Sequence, residues 1–426
     1  MYCVDSSTFF QFMETTAENN IKRVQVPQFE LKEHEQVYSP AEDSTLLQRV
    51  ILSQRVENVN RALDMCTGSG IQAITLSKTY PSAKVVAADH NKIAVEIAKE
   101  NCIANGAAKV DVVLSDLFSK VKGTFDLIVC NPPYLPAHKY DKDDLLNTAL
   151  VGGKKGNEVI LDFLEQAKKH LSANGTIFLL FSNFSNKDTI DVMLGQSMYQ
   201  WSLVASDYMG SFESLYVYKI QFLPHLKELE ELGVSHIDYL SKGKRGIVLQ
   251  GKYDGSRVAI KIAQNSLQGS VIRKELLFLR KANALDIGPL VVDGNENFLV
   301  MEFIDGVRIL DYFSGASHKD KVIILKQVLE QLYLLDCNGI NKLELTNPYK
   351  HILITKKKKP VLIDFERSQF STFPGNVTQF MQFLQSESFK ADKVVHGETE
   401  NIMKLLQEYK FSRSRDIFEK LLQFIF

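Results

Sequence analysis

Residues 61–90, RALDMCTGSGIQAITLSKTYPSAKVVAADH, decide how the first half of the chain folds. The stretch begins with a short apolar run that ends in glycines, continues with helix-forming residues and closes with a second apolar run. A strand, a helix and a second strand of these lengths are typical of a βαβ unit, whose strands lie parallel in a sheet covered by helices on both faces.

The same alternation of apolar runs and helical patterns continues to about residue 220, which predicts a doubly wound, Rossmann-like α/β sheet. Helices are predicted over 91–106 and 159–175, with Gly106 and Gly175 as their left-handed caps. We expect the last apolar run to close the sheet as an antiparallel strand. Further strands are predicted at the runs 109–118, 125–134, 176–182 and 213–220.

The pattern changes after residues 221–240, which contain a proline and a charged amphipathic stretch. We predict that they link two domains, 1–220 and 241–426. The second domain begins with a β-hairpin that turns at Asp254-Gly255, and a helix, two short strands and several long helices follow. Strands followed by helices predict an α+β unit with two lobes.

The composition narrows the class of protein. A chain of 426 residues with 45% hydrophobic and 24% charged residues is typical of a globular protein with about two to three domains. Lys and Arg total 50 against 51 acidic residues, and the net charge of −1 disfavours direct nucleic-acid binding. The 5 cysteines form no CxxC pair, which predicts neither a disulfide framework nor a zinc site. Without a signal-peptide pattern or an apolar run long enough for a membrane span, we expect a cytoplasmic protein that does not bind membranes.

The first candidate site is the glycine turn at residues 64–70, DMCTGSG. Gly68 and Gly70 allow the backbone to approach a ligand closely and leave the N-terminus of the next helix free to donate hydrogen bonds. Asp89 ends the next strand, where a carboxylate can accept both hydroxyls of a ribose. Asp116 follows the third strand, within reach of an adenine amino group. The pattern predicts a nucleoside cofactor without a pyrophosphate, and its alternative is a set of helix caps with no ligand.

The second candidate site is Asn131-Pro132-Pro133-Tyr134, which follows the fourth strand. Two prolines remove two backbone donors, so this corner offers only acceptors. The Asn131 side-chain oxygen and the Pro132 carbonyl can accept both hydrogens of a planar NH2 group, on which Tyr134 can stack. Such a geometry aims the nitrogen lone pair at an electrophile. The alternative is a turn stiffened by proline.

These motifs resemble a known family. Residues from about 35 to 220 are similar to class I S-adenosylmethionine-dependent methyltransferases of the HemK/PrmC type, in which NPPY is the amide- and amine-methylating loop. Residues 38–44, YSPAEDS, resemble the YxPAED-S/T segment of the eukaryotic and archaeal release-factor glutamine methyltransferases, and residues 151–156 resemble the GGxxG loop that follows NPPY. The resemblance implies Asn131, Pro132 and Tyr134 as catalytic residues. It implies that the S-adenosylmethionine site is formed by Ser44, Asp64, Cys66, Gly68, Gly70, Asp89, Asp116, Leu117 and Asn131.

The resemblance also implies a methyl acceptor and a partner. In this subgroup the acceptor is the glutamine of the GGQ motif of a class I peptide release factor, and a small zinc-binding activator protein often assists. Some members methylate lysine, and adenine-N6 methyltransferases of DNA and RNA share NPPY. Protein-lysine and nucleic-acid methylation therefore stay open as alternatives, although the chain shows no evident target-recognition domain for a nucleic acid.

The second half resembles small RIO-type and archaeal protein-kinase-like domains from about residue 240 to 400. A shortened glycine loop, GKRG (243–246), precedes VAIK (258–261), and LIDFE (362–366) resembles the magnesium-binding segment, with Glu366 in place of a glycine. The resemblance implies ATP with Mg²⁺ as a second cofactor. It implies ATP-binding roles for Gly243, Gly246, Lys261, Glu275, Glu302 and Asp364, with Asp364 as the metal ligand.

The catalytic loop of the kinase pattern is altered. Residues 341–351, NKLELTNPYKH, occupy its place, with a spacing longer than the family's His-x-Asp and following Asn. Glu344 is the candidate base, and His351 or Asn347 is the candidate second metal ligand. His351 is equally compatible with a histidine at the edge of the core. Two interpretations follow: a Ser/Thr protein kinase, or a pseudokinase adaptor that recruits substrate or senses ATP.

Overall fold

The structure is a computed structural model that describes residue 21 and residues 24–137, 149–210, 212–243, 246–263, 266–386 and 394–426. The chain divides into two compact units, Met1–Leu226 and Lys227–Phe426. Within the described residues, no helix combines the length and the apolar composition needed to cross a membrane.

A seven-stranded sheet with the order β3-β2-β1-β4-β5-β7-β6 forms the centre of the N-terminal unit. Strands β1 to β5 are parallel, and β7 runs antiparallel to both β5 and β6. The strands are β1 (Arg61–Met65), β2 (Lys84–Asp89), β3 (Asp111–Leu114), β4 (Phe125–Cys130), β5 (Leu171–Ser182), β6 (Tyr199–Gly210) and β7 (Glu213–Phe222). The helices that flank them are α1 (Glu42–Ser53), α2 (Ile71–Thr79), α3 (Lys92–Ala104), α4 (Glu158–Ala167) and α5 (Lys187–Gly195).

Helices cover both faces of this sheet. Successive side chains of a strand point to opposite faces, and β4 has buried apolar side chains on both. Leu127 and Val129 of β4 pack in one core with residues of α1, α2 and α3. Ile128 and Cys130 of the same strand pack in a second core with residues of α4 and α5. The predicted doubly wound α/β fold is confirmed.

The predicted helix over 159–175 is too long. Helix α4 ends at Ala167, β5 begins at Leu171, and Gly175 therefore lies inside a strand. A Cβ atom at Gly175 would lie 2.5 Å from the side chain of Leu171, so close packing and not a helix cap accounts for the glycine. Gly106 does adopt a left-handed conformation, with φ of +71°. Strand β6 was not predicted from the sequence. Most of its side chains are partly exposed, so it lacks a continuous apolar run.

The C-terminal unit has a five-stranded sheet with the order β11-β12-β10-β9-β8, antiparallel throughout, followed mainly by helices. The hairpin between β9 and β10 turns at Asp254-Gly255 with φ of +46° and +73°, as the sequence predicts. A sheet followed by helices is the α+β order that the sequence predicts for this unit. Its main strands are β8 (Ser235–Gly243), β9 (Gly246–Tyr253), β10 (Ser256–Ile262), β11 (Val291–Gly294) and β12 (Phe298–Glu302).

Short strands and helices complete this unit. The short strands are β13 (Gly306–Arg308), β14 (Ile340–Asn341), β15 (Ile352–Thr355), β16 (Pro360–Leu362) and β17 (Gln369–Phe370). The helices are α6 (Leu226–Glu231), which begins at the unit boundary, α7 (Ser266–Asn283), α8 (Ile309–Gly315), α9 (His318–Cys337), α10 (Asn376–Leu384), α11 (Thr399–Ser412) and α12 (Arg415–Leu422). Residues 221–240, predicted as a linker, instead hold the end of β7, helix α6 and most of β8. Because β8 pairs with β9 as an edge strand, these residues are part of the folded units.

Candidate functional sites

The order of the strands places the two motifs of the N-terminal unit side by side. Strand β1 pairs with β2 on one side and with β4 on the other, and Met65 is the register partner of Cys130. The glycine turn therefore lies next to residues 131–134, which we call the NPPY corner. In open α/β sheets, ligands bind at this point, where the strand order reverses. A pocket is found there, and the predicted residues that line it are Ser44, Cys66, Gly68, Asp89, Asn131, Pro132 and Tyr134.

Asp64 stabilises the glycine turn through hydrogen bonds. It is fully buried, and its carboxylate accepts hydrogen bonds from the Thr67 hydroxyl and from the backbone N–H of Ala73 at 2.5 and 2.9 Å. Burial raises the pKa of Asp64 to about 7. Gly70 adopts φ of +86° and packs against Ala98, where a Cβ atom would lie 3.2 Å from the neighbouring backbone. Asp64 and Gly70 fix the shape of the turn and are not among the residues that line the pocket.

Asp89 lines the pocket and connects two loops. One carboxylate oxygen accepts from the N–H of Gly68 and the other from the N–H of Asn91, both at 2.9 Å. A carboxylate offers about four lone-pair sites, so Asp89 retains acceptor capacity toward a ligand. Asp116 is exposed and Leu117 is half-buried, and neither lines the pocket. Strand β3 ends at Leu114, two residues before Asp116.

Asp43 holds the NPPY corner in place. Its carboxylate accepts hydrogen bonds from the Asn131 side-chain amide at 2.9 Å, from the Tyr38 hydroxyl at 3.2 Å and from the Tyr134 hydroxyl at 3.5 Å. The backbone N–H of Ser44 adds a fourth donor at 2.5 Å. Burial raises the pKa of the Tyr134 phenol, as does the nearby Asp43, so this hydroxyl keeps its proton and acts as a donor.

The contact with Asp43 decides the orientation of Asn131. Its NH2 group is used by Asp43, and its side-chain oxygen is buried with no hydrogen-bond partner among the described residues. A buried acceptor without a partner costs free energy, so such atoms require a reason. Two prolines follow Asn131 in the sequence, and because proline has no backbone N–H they add no backbone donor to the corner. The corner therefore presents an unused acceptor to the pocket.

The loop that follows the NPPY corner packs against the backbone of the corner. The N–H of Leu135 donates to Leu150 and the N–H of Gly152 donates to Leu135, both at 2.9 Å. A Cβ atom at Gly156 would lie 2.6 Å from the carbonyl oxygen of Tyr134, so only glycine allows this close approach. The GGxxG residues thus pack on the backbone of the corner.

Asp43 and Tyr38 belong to the segment YSPAEDS, but the sequence alone did not indicate their roles. Both residues lie in a segment that matches a family pattern, with Tyr38 five positions before Asp43, so the sequence marks the segment as functional. The contact of Asp43 with Asn131 depends on how the chain folds back onto β4, and no local pattern shows it.

In the C-terminal unit, a cavity of about 500 Å³ surrounds Lys261, and we call it the Lys261 cleft. The Lys261 ammonium donates to both oxygens of Glu275 at 2.7 Å and lies 3.4 Å from Asp364. Burial alone would lower the pKa of Lys261, but the charge of Glu275 reverses this effect and the pKa is raised. The structure thus pairs Lys261 with Glu275, two residues that the sequence assigns to the same site.

The remaining predicted ATP residues fall around this cleft. Gly246 and Glu302 line it. Gly243 is the register partner of Gly246, so the shortened glycine loop is a hairpin connection whose two middle residues lie outside the described part of the chain.

The altered catalytic loop brings three side chains together. His351 Nε2 lies 3.8 Å from a Glu344 oxygen, and His351 Nδ1 lies 3.9 Å from an Asp364 oxygen. Glu344 also pairs with Arg367 at 2.9 Å. Burial lowers the pKa of His351, as does the nearby Lys342. Asn347, the other candidate second ligand, is exposed.

Lys342 is a residue of this site that sequence reasoning missed. It is 1% exposed, and its ammonium donates to the backbone carbonyl of Asp364 at 2.7 Å and lies 5.0 Å from the ring centre of Phe365. Burial lowers its pKa to about 8. The contact fixes the backbone that carries Asp364, and a lysine between Asn341 and Leu343 gives no sequence signal for it.

The comparisons with known proteins concern mainly the N-terminal unit. The family model of the methyltransferase small domain matches residues 28–208. A protein of Methanocaldococcus jannaschii named "Putative protein N5-glutamine methyltransferase" is 36% identical over 170 residues, which cover 84% of that protein and 39% of this chain. This chain belongs to the glutamine methyltransferase family. Members of this family use S-adenosylmethionine as the methyl donor, and the glycine turn with Asp89 fits the nucleoside part of that donor.

Two further matches are more limited. A release factor glutamine methyltransferase of Lactococcus lactis is 33% identical over 155 residues, and the match spans only 57% of that protein and 35% of this chain. The solved structure of a bifunctional kinase-methyltransferase, WbdD, is 14% identical, covers 90% of this chain and 88% of that chain, and has a TM-score of 0.43. A likeness at this level gives no information about activity.

Proposed function

We propose that the N-terminal unit transfers a methyl group from S-adenosylmethionine to the side-chain amide nitrogen of a protein glutamine, specifically the GGQ glutamine of a class I peptide release factor. The observation that carries this proposal is the buried side-chain oxygen of Asn131, which has no described partner while its NH2 group is held by Asp43. An acceptor fixed in this way suits a planar NH2 donor.

The chain's own residues orient the acceptor nitrogen. Asn131 accepts one amide hydrogen and the Pro132 carbonyl accepts the other, so the nitrogen lone pair points away from both. Tyr134 packs against the amide, and Asp89 and Gly68 hold the nucleoside of the cofactor. The cofactor supplies an electrophilic methyl group on a sulfonium. In this transfer the amide nitrogen would gain the methyl group as the sulfur–carbon bond breaks, and the amide would release one proton to water.

The same geometry distinguishes the alternatives. A lysine reacts only after its ammonium loses a proton, and the carboxylate of Asp43 beside the corner favours the charged form. An adenine amino group is planar like an amide, but the balanced charge of the chain gives no basic surface for a nucleic acid. A translation-termination substrate also fits the cytoplasmic location predicted for this protein. The subgroup resemblance extends the proposal to a small zinc-binding activator protein as a partner.

The test uses methyl-labelled S-adenosylmethionine with a purified class I release factor, with and without the activator. We expect label on the wild-type factor and none on a variant in which the GGQ glutamine is replaced by alanine. Peptide mass spectrometry then locates the methyl group. Label on a lysine, on RNA or on DNA, with an unlabelled release factor, would contradict the proposed acceptor.

We further propose that the C-terminal unit binds a metal–ATP complex in the Lys261 cleft. The specific observation is the ammonium of Lys261, held between Glu275 and Asp364 in a cavity large enough for a nucleotide. Calorimetric titration with ATP tests binding, and transfer of radiolabelled phosphate to protein tests Ser/Thr kinase activity. Binding without transfer favours the adaptor or sensor role. Absence of binding contradicts the proposal.

A further inference from the structure

His351 occupies an unusual environment at the edge of the Lys261 cleft. The residue is 9% exposed, and its Nδ1 atom is buried with no hydrogen-bond partner in the part of the chain that the structure describes. The nearest acidic atom is Oδ2 of Asp364, 3.9 Å away, while Oδ1 of Asp364 faces Lys261 at 3.4 Å. One oxygen of Asp364 thus serves Lys261, and the other faces the free nitrogen of His351.

The opposite side of the imidazole ring faces a carboxylate. Nε2 of His351 lies 3.8 Å from Glu344, and Arg367 fixes Glu344 from its other side at 2.9 Å. Histidines that bind metals usually direct their second ring nitrogen to a carboxylate, which sets the tautomer and the ring orientation. Glu344 faces Nε2 of His351 across 3.8 Å, which is longer than a direct hydrogen bond, and Nδ1 is left for an ion.

Three carboxylates near the cleft also lie close to one another. Oxygens of Glu275, Asp364 and Glu366 lie within 4.8 Å of one another. However, both oxygens of Glu275 already accept from Lys261 at 2.7 Å. Nδ1 of His351 and Oδ2 of Asp364 lie 3.9 Å apart, and two ligand bonds of about 2 Å each reach across this gap.

We propose that His351 and Asp364 ligate the divalent ion of the bound nucleotide, and that the imidazole ligand makes this cleft select a first-row transition-metal ion over Mg²⁺. Mg²⁺ takes oxygen ligands, whereas imidazole binds transition ions well. In this assignment Glu344 is a positioning residue for His351 and not a catalytic base. The inference rests on the proposed binding of nucleotide in the Lys261 cleft.

The experiment measures the affinity of the untagged full chain for a non-hydrolysable ATP analogue by calorimetry, with Co²⁺ and with Mg²⁺. Every phosphate site favours Co²⁺ to some extent, so the diagnostic quantity is the ratio of the two affinities in matched variants. We expect this ratio to fall at least about tenfold in His351→Asn. His318→Asn, an exposed histidine at the start of α9, is the matched control and should keep the wild-type ratio.

A second measurement uses only the wild-type chain and so does not depend on the folding of a variant. X-ray absorption at the cobalt edge of the wild-type complex should show the outer-shell scattering of an imidazole ring. An unchanged ratio in folded His351→Asn, together with an oxygen-only cobalt shell, would overturn the metal assignment and leave nucleotide binding intact. Loss of nucleotide binding with both ions in the wild-type chain would overturn the proposed nucleotide function and this inference together.

Discussion

In the NPPY corner, Asp43 accepts hydrogen bonds from uncharged groups, whereas in the Lys261 cleft Glu275 and Asp364 share one ammonium. Both arrangements fix the side chain that faces a ligand. In the corner the fixed group is Asn131, which keeps an unused oxygen acceptor. In the cleft the fixed group is Lys261, which carries a positive charge.

The difference indicates what each site is built to receive. A neutral amide acceptor suits a neutral NH2 donor and places it by geometry, while a buried ammonium suits the negative charge of phosphates. The two sites also differ in their agreement with family patterns. Residues 131–134 match their motif in full, but Glu344 and His351 depart from the kinase catalytic loop.

Among the variants that leave Asn131 in place, the largest effect should come from Asp43→Ala. Without this carboxylate the Asn131 amide loses its anchor, and we expect kcat for methyl transfer to fall at least about a hundredfold because the acceptor nitrogen is misplaced. Steady-state kinetics give kcat, and calorimetry should show cofactor affinity within about tenfold of wild type. Asp111→Ala, exposed at the start of β3, is the matched control. A full-rate Asp43→Ala enzyme would remove Asp43 from the account of the corner.

The corresponding change in the other site is Lys261→Ala. It removes the ammonium that the two carboxylates hold, and we expect ATP affinity to fall about tenfold to a hundredfold. Calorimetry of the full chain measures this effect, with the exposed Lys252→Ala as control. If Lys261→Ala and Lys252→Ala bind ATP with the same affinity, the ammonium of Lys261 does not bind phosphate. The contrast drawn between the two sites would then be wrong.

Asp89→Ala tests which carboxylate of the N-terminal unit contacts the cofactor. We expect the affinity for S-adenosylmethionine to fall about tenfold, because a charge-assisted hydrogen bond to the ribose is lost. Asp116→Ala should have a smaller effect, since Asp116 is exposed and does not line the pocket. Equal losses in the two variants would restore Asp116 to the adenine position that the sequence predicts.

The smallest effect concerns pH and the buried carboxyl of Asp64. Its pKa is raised from 3.8 to about 7 in the folded state, so the folded chain holds more protons than the unfolded chain between these values. The contribution of Asp64 to stability is therefore full below about pH 4 and is lost as the pH rises through 7. We expect the urea midpoint to fall between pH 5 and pH 8, and to fall less in Asp64→Asn.

Fluorescence of Trp201 measures this transition, because it is the single tryptophan of the chain and lies in β6 of the N-terminal unit. Parallel pH profiles for wild type and Asp64→Asn would contradict the raised pKa.

Local patterns predicted those parts of the molecule whose cause is local. The glycine turn, the hairpin at Asp254-Gly255 and the buried strands β1 and β4 follow from residue type and alternation. The kinase-like motifs also located Lys261 and Glu275, since each lies at a fixed place in a recognisable pattern.

What the patterns missed depends on contacts that the local residue types do not reveal. Gly175 is needed for packing against Leu171 and not for a helix end, and the composition of the stretch does not separate the two. Asp43 reaches Asn131 across 88 positions of the chain, and Lys342 reaches the backbone of Asp364 across 22. Such partners become visible only when the strand order is known.

The most direct test of the central claim is the kinetics of Asn131→Ala, with exposed Asn174→Ala as its matched control. The account predicts that methyl transfer to the release factor falls below detection in Asn131→Ala, while the affinity for S-adenosylmethionine stays within about tenfold of wild type. An Asn131→Ala enzyme that methylates its acceptor at the wild-type kcat would contradict it.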